Sequence, residues 1–108
     1  MSAVVRPVRR WRRFVVADRS MEPTLVAGQG LVAIRCRRAR PGELRIVEHP
    51  HRPDFWLVKR VERLTDDGRM WVRSDNPAAE GGDSRQLGAF AVDGSYRVVI
   101  RVPRRLMG

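Results

Sequence analysis

Lys59 is the residue whose type is most unusual for this chain. It is the only lysine, although lysine and arginine together number 22. Two-residue alternation along the run 55–61 places Lys59 on the same strand face as Phe55, Leu57 and Val61. Burial on such a face lowers an amine's pKa from about 10.4 and yields a neutral general base, a role closed to the always protonated arginine. The alternative is a strand residue whose amine reaches solvent along its flexible stem.

Ser20 is the candidate nucleophile. It follows the apolar run 14–17 and precedes a short turn that contains Pro23. A serine at this place can simply cap the backbone N–H groups of the turn. It can also expose its Oγ beside backbone N–H groups that stabilise an oxyanion. Since His49 and His51 share one loop, the base for Ser20 would be an amine, as in Ser-Lys dyads.

Metal and redox chemistry have little support in the sequence. The two histidines flank Pro50, and no cysteine or acidic cluster completes a ligand set with them. Cys36 is the only cysteine, which excludes an internal disulfide and suits a reducing compartment. We therefore expect neither a metal nor a cofactor.

The elements that would position Ser20 and Lys59 are predicted to be short strands. Apolar or alternating runs recur between turn signals, at residues 13–17, 30–36, 44–48, 55–64, 70–73 and 96–102. Asp66-Asp67-Gly68 predicts a hairpin between the fourth and fifth runs. No segment keeps helical periodicity over three turns. The expected fold is mostly β, a small barrel or sandwich with short helical turns.

The last run shows the clearest alternation. It predicts one face formed by Tyr96, Val98, Ile100 and Val102 and another formed by Arg97, Val99 and Arg101.

Composition predicts one small folded domain with an affinity for anions. The chain has 108 residues, of which 43% are hydrophobic and 31% charged, and its net charge is +10. The predicted organisation is a basic arm over residues 1–12, a single domain over 13–103 and a basic tail over 104–108. No apolar run approaches the roughly 20 residues of a spanning helix, and the apolar stretch near the start is too short for a signal peptide.

Three segments, in order, resemble the motifs of a known clan. The segment Ser20-Met21-Glu22-Pro23-Thr24-Leu25 resembles the serine box of the signal peptidase I and LexA-like clan of Ser-Lys peptidases. The segment Leu57-Val58-Lys59-Arg60-Val61 resembles its lysine box. Ser74-Asp75-Asn76-Pro77, followed by Gly82-Asp83-Ser84-Arg85-Gln86-Leu87-Gly88, is similar to its last box. Among these peptidases the chain most closely resembles the nickel-type superoxide dismutase maturation proteases.

The resemblance implies a role for each matched residue. Ser20 would be the nucleophile and the source of an oxyanion-binding N–H, and Lys59 the base. Met21 and Asp18 would border the substrate cleft. Asp83 and Arg85 would form an ion pair that holds the last box against the lysine strand. The site would be supported by Pro23, Asp75, Asn76, Ser84 and Gly88.

The chain departs from the family's pattern at three positions. Asp18 stands where the family usually has glycine or serine, two residues before the nucleophile. Gly81 stands where a serine often hydrogen-bonds the catalytic amine, and Ser74 replaces the glycine of Gly-Asp-Asn.

The expected function is a serine endopeptidase that removes an N-terminal propeptide or leader, with a nickel superoxide dismutase precursor as the implied substrate. The substrate's extended segment would pair with a strand edge. One alternative is the processing of exported proteins in the manner of signal peptidase I. Another is a catalytically weak basic β-barrel that binds nucleic acid, although no firm nucleic-acid site is present because the aromatics are not interleaved with the arginine clusters. A cytoplasmic monomer is expected, with peripheral contact with an anionic inner membrane face as an open alternative.

Overall fold

A computed structural model describes residues 10–79 and 82–108. Its strands are β1 (Trp11–Val15), β2 (Gly30–Arg35), β3 (Leu44–Glu48), β4 (Trp56–Leu64), β5 (Arg69–Arg73), β6 (Phe90–Ala91) and β7 (Tyr96–Val102). A single short helix, α1 (Ser84–Leu87), follows β5, and a 3₁₀ turn, Arg104–Leu106, follows β7. The predictions of a mostly-β fold with only short helical turns are confirmed.

All the strands pair antiparallel in one seven-stranded sheet, in the order β1-β2-β7-β3-β4-β5-β6. In a flat sheet, β1 and β4 would lie about 19 Å apart, at roughly 4.8 Å per strand. The rings of Phe14 on β1 and Trp56 on β4 are instead only 5.8 Å apart. The sheet is therefore curled until β1 faces β4, and within the described residues no second sheet stacks on it.

Most strand boundaries follow the sequence prediction. The observed β3 and β7 coincide with the predicted runs 44–48 and 96–102. The expected hairpin joins β4 to β5, with Gly68 at φ +80°. β1 begins at Trp11, two residues before the predicted run, so the last residues of the predicted basic arm belong to the sheet. Residues 1–9 of that arm lie outside the described residues.

The predicted alternation of β7 is wrong beyond Val98. Val98 pairs with Ala33 of β2, whereas Ile100 pairs with Val32, so Val99 is an extra residue in a β-bulge. The bulge reverses the face on which the following side chains lie. Tyr96 and Val98 face the core, while Ile100 lies on the opposite face and is 51% exposed.

The core consists of two clusters inside the curled sheet. One centres on Met21, Leu25 and Ile46, beneath the turn after β1. The other centres on Val61, Met70 and Val72, under the β4–β5 hairpin. Lys59 lies on β4 between Leu57 and Val61 of the second cluster, which places its side chain among apolar groups.

Candidate active site

Lys59 is buried on the inward face of β4. Its residue surface is 1% exposed, and Leu57 and Val61 on the same face are buried too. The alternative of an amine that reaches solvent is therefore wrong. Burial lowers the pKa of Lys59 because the apolar surroundings disfavour the charged ammonium, while the carboxylates of Asp18 and Asp83 oppose that shift.

The Lys59 amine is oriented by Ser74. Nζ of Lys59 donates a hydrogen bond to Oγ of Ser74 over 2.9 Å. Ser74 follows β5, whose register pairs Arg73 with Arg60, so the antiparallel pairing of β4 and β5 brings Ser74 beside Lys59. Ser74 was not among the site residues predicted from the sequence. The signal was that Ser74 stands where the resembled motif has glycine, but only the strand register shows which side chain its hydroxyl meets. Gly81, the position where the family often supplies such a hydroxyl, lies outside the described residues.

Ser20 is held by Asp18. One carboxylate oxygen of Asp18 accepts hydrogen bonds from the Ser20 backbone N–H, at 3.0 Å, and from the Ser20 hydroxyl, at 2.9 Å. Ser20 is 7% exposed. The N–H predicted to stabilise an oxyanion is therefore occupied by a carboxylate, and the hydroxyl proton is directed toward the same oxygen.

The turn that carries Ser20 is tied to the segment that carries Ser74. The Asn76 backbone N–H donates to the Ser20 carbonyl over 2.9 Å, and the Asn76 side-chain amide donates to the Arg19 carbonyl over 2.9 Å. Within the described residues, no direct hydrogen bond joins Ser20 Oγ to Lys59 Nζ. Asp18 provides the link between them, because it binds the Ser20 hydroxyl and its charge acts on Lys59.

Asp75 joins the serine turn to the lysine strand. Its carboxylate accepts hydrogen bonds from Thr24 Oγ1 at 2.6 Å, from Arg60 Nη2 at 2.7 Å and from Arg60 Nε at 3.2 Å. Thr24 lies in the turn after Ser20, and Arg60 follows Lys59 on β4. Bonds from Arg60, then those from Thr24 and the charge of Arg73, hold the pKa of Asp75 below its usual value. Asp75 therefore lies between the serine turn and the lysine strand, and its partners Thr24 and Arg60 were not predicted.

The last box packs around α1. Asp83 and Arg85 are an ion pair, with Nη2 of Arg85 3.2 Å from Oδ2 of Asp83, but the Arg85 side chain is 69% exposed. Asp83 also caps α1 by accepting the Arg85 backbone N–H. The bond that ties α1 to the sheet runs from the Val72 N–H to Ser84 Oγ at 2.8 Å. Gly88 ends the helix at φ +79°.

Gly82 brings the last box directly against the amine. A Cβ placed on Gly82 would lie 3.5 Å from Nζ of Lys59. That distance is an ordinary van der Waals contact, so it is the φ of +78° at this residue that favours glycine here.

Met21 does not have its expected place. It is fully buried in the core, and the Asp75 N–H points at its sulfur over 3.4 Å. Side chains in a core cannot contact a substrate, so the expected role of Met21 as a cleft wall is wrong. Pro23, which follows a cis peptide bond in the same turn, is part of the link between Ser20 and the Thr24–Asp75 contact.

Two grooves border the Ser20 turn. One is polar, about 400 Å³, and is lined by Asp18, Arg19, Ser20, Asn76, Ala78 and Ala79. The other is apolar, about 140 Å³, and lies between β1 and β4, with Val16, Leu31, Trp56 and Val58 in its wall and Asp18 at its end. A larger cavity of about 830 Å³ lies around Cys36 and Arg97 and contains none of the predicted site residues.

Neither a metal-binding cluster nor a membrane-spanning helix is formed in the described part of the chain. Across residues 10–79 and 82–108, no three metal-ligating side chains come together. No described helix is long and apolar enough to cross a membrane. Set beside known proteins, the chain matches no protein-family model and no curated protein.

Proposed function

We propose that the chain is a serine endopeptidase in which Ser20 is the nucleophile and Lys59 the general base. The observation that carries this proposal is the environment of Lys59. The chain uses arginine everywhere else, yet the one buried position with a depressed amine pKa holds lysine. A structural cation would gain nothing from this substitution, whereas a base must be able to lose its proton at moderate pH.

The proposed reaction passes through an acyl-enzyme. Neutral Lys59 Nζ takes the proton of Ser20 Oγ as that oxygen attacks the scissile carbonyl. The resulting oxyanion is stabilised by the Ser20 N–H, and Lys59 then gives its proton to the leaving amine as the C–N bond breaks. In the second half of the reaction, Lys59 takes a proton from a water molecule as that water attacks the ester. Lys59 then returns the proton to Ser20 Oγ as the acyl C–O bond breaks, which releases the acid product and regenerates Ser20.

The resting contacts must change before the first step. The Ser20 hydroxyl has to turn from Asp18 to Lys59, and the Ser20 N–H has to be released to the oxyanion. Because the hydrogen bond to Ser74 fixes the direction of Lys59 Nζ, the side chains that must move are those of Ser20 and Asp18.

The substrate is proposed to be an extended N-terminal segment of a partner protein. β1 is an edge strand of the sheet and leads through Val16 and Ala17 into the Ser20 turn, so a chain paired with β1 would pass the nucleophile. The apolar groove between β1 and β4 suits a small apolar side chain near the cut. A nickel superoxide dismutase precursor is the first candidate, and leaders of exported proteins are the second.

Co-expression with a nickel superoxide dismutase precursor tests the proposal. Intact mass should show loss of the precursor's N-terminal extension with the wild-type chain and no loss with Ser20→Ala or Lys59→Arg. Lys59→Arg keeps a cation but removes the neutral amine. Thr65→Ala, which removes a hydroxyl in the distant β4–β5 hairpin, is the matched control and should cleave normally.

Two results would count against the proposal. Cleavage that survives Lys59→Arg would exclude the neutral-amine mechanism. Absence of cleavage, together with nucleic-acid binding that weakens steeply with salt, would favour the basic binding module instead.

A further inference from the structure

The outward face of β1, β2 and β7 is an exposed apolar surface. The strand registers place three rows of neighbours on it: Val15 with Gly30 and Val102, Arg13 with Val32 and Ile100, and Trp11 with Ile34 and Arg97. Trp11, Val15 and Ile100 are 56%, 60% and 51% exposed. Apolar groups in adjacent rows form a continuous patch, which monomeric proteins rarely leave unused. These three rows are termed the outer face below.

Two structural features build the outer face. The bulge at Val99 turns Ile100 away from the core and onto this surface. The 3₁₀ turn after β7 then folds the end of the chain back, so that a Cβ on Gly30 would overlap the sulfur of Met107. Met107 and its neighbour Leu106, which are 41% and 66% exposed, extend the apolar surface past the end of β2.

The charge on these elements is entirely positive. Residues 11–15, 30–35 and 96–108 contain no aspartate or glutamate. They contain seven arginines: Arg12, Arg13, Arg35, Arg97, Arg101, Arg104 and Arg105. Arg13 and Arg97 lie on the outer face and Arg104 and Arg105 in the turn after β7, whereas the register places the other three on the opposite face of the sheet. Within the described residues none of the seven forms an ion pair, although arginines elsewhere in the sheet do.

We infer that the outer face docks on an anionic lipid surface. An apolar centre with an aromatic residue, bordered by Arg13, Arg97 and the arginines of the turn after β7, matches the boundary between headgroups and acyl chains. Self-association through this face would set Arg13 and Arg97 against copies of themselves with no acid to offset them. Nucleic acid would provide anionic partners for the arginines. It would also place charged phosphates against the aliphatic centre of the face, which consists of Val15, Val32 and Ile100, and this contact is unfavourable.

The docked orientation places the candidate active site close to the membrane. Val15 ends β1 at the edge of the outer face, and the chain reaches Ser20 five residues later. Binding does not rest on peptidase activity, so it is measured with the Ser20→Ala chain as well as with the wild type.

Vesicle co-sedimentation of the full chain tests the inference. Vesicles of phosphatidylcholine mixed with phosphatidylglycerol should bind the chain, those of phosphatidylcholine alone should bind it weakly, and added salt should reduce binding to the mixed vesicles. Arg13→Gln should weaken partition about five-fold, the share of one arginine near an anionic surface. Ile100→Ser should weaken it about ten-fold, because an apolar side chain no longer enters the interface.

Matched controls lie on other surfaces. Leu64→Ser removes a side chain that is 45% exposed at the β4–β5 hairpin, and Arg40→Gln removes an exposed charge between β2 and β3. Both should bind like the wild type, and the melting temperatures of all four variants should show that the fold is kept.

Three results would overturn the inference. The first is no binding to the anionic vesicles. The second is binding that Leu64→Ser and Arg40→Gln weaken as much as Ile100→Ser and Arg13→Gln do. The third is a dimer or a nucleic-acid complex that Ile100→Ser disrupts while vesicle binding is unchanged.

Discussion

In the proposed mechanism, Asp18 controls whether Ser20 can react. Its carboxylate binds both groups that the proposed catalysis requires from Ser20, the backbone N–H and the hydroxyl. Its negative charge also opposes the lowering of the Lys59 pKa. A short carboxylate two residues before the proposed nucleophile thus restrains both members of the proposed dyad. At the residue scale, the contacts of Ser20 correspond to a resting state of the proposed mechanism.

Asp18→Ala should raise the rate of Ser20 acylation. Freeing the N–H and the hydroxyl removes a competing hydrogen bond of about 1 kcal/mol, or about five-fold in rate. The Lys59 pKa should fall further without the opposing charge, so the pH profile should move to lower pH. The rate is measured with an activated acyl ester, with Asp66→Ala as the control that removes an exposed acid in the hairpin. An unchanged or lower rate would show that Asp18 supports catalysis.

At the element scale, the site depends on two segments that are far apart in sequence. The Ser20 turn follows β1, and the Ser74 segment follows β5. They meet because Asp75 binds Thr24 on one side and Arg60 on the other. The half-buried carboxylate is thus a joint between the serine turn and the lysine strand.

Asp75→Asn should destabilise the fold and the site together. An amide cannot satisfy the bidentate arginine, which leaves Arg60 without its charge partner at a cost of about 2 kcal/mol. Since the folded-state pKa of Asp75 lies below its usual value of 3.8, its stabilisation is present above that pH and is lost as pH falls through the folded pKa. Urea unfolding at neutral pH should show a lower free energy of unfolding for Asp75→Asn than for the wild type.

The same measurement in acid provides the check on Asp75. The difference in free energy of unfolding between the wild type and Asp75→Asn should become smaller as the pH falls below about 4. Asp66→Asn should leave the unfolding midpoint nearly unchanged at both pH values. A difference that stays constant down to acidic pH would mean that the charge of Asp75 is not what stabilises the joint between the serine turn and the lysine strand.

The strand bounds and the strand face of Lys59 were predictable because they follow from local patterns. Apolar runs between turn signals placed β3 and β7 at their observed bounds. Two-residue alternation placed Lys59 on the apolar face of β4, but it left open whether the amine is buried or reaches solvent. The bulge at Val99 was not predictable, because strict alternation contains no sign of an inserted residue. The hydrogen bonds of Ser74 and Asp18 were not predictable either, because they depend on which turns meet in space. Strand β6 was missed because two residues are too few to show an alternating pattern.

At the scale of the whole molecule, the curl of the sheet forms the apolar groove. The rings of Phe14, Trp56 and Tyr96 meet in pairs 5.6 to 5.8 Å apart and close β1 onto β4. The groove beside Asp18 lies within this closure. The outer face is the opposite side of the same β1 and β7 strands.

Trp56→Ala should loosen this closure. Removing the ring takes away the contact between β1 and β4 and should cost about 3 kcal/mol, as large-to-small changes in cores do. Trp11→Ala is the matched control, because Trp11 is 56% exposed and its loss should change stability by less than about 0.5 kcal/mol. Guanidinium unfolding measures both. An equal loss of free energy of unfolding in Trp56→Ala and Trp11→Ala would show that the curl of the sheet does not depend on Trp56.

The central claim is that buried Lys59, held by Ser74, activates Ser20. The most direct measurement is the pH dependence of acylation by an activated acyl ester, with intact mass for the rate and peptide mapping for the site. The acyl group should be found on Ser20, at a rate that rises with pH and levels off below 10.5, the ordinary pKa of the amine. Lys59→Met should abolish this reaction. Ser74→Ala should slow it and shift its pH profile, whereas Ser74→Thr, which keeps the hydroxyl, should react at close to the wild-type rate. Acylation of Ser20 that persists in Lys59→Met, or that rises with pH without a plateau, would contradict the claim.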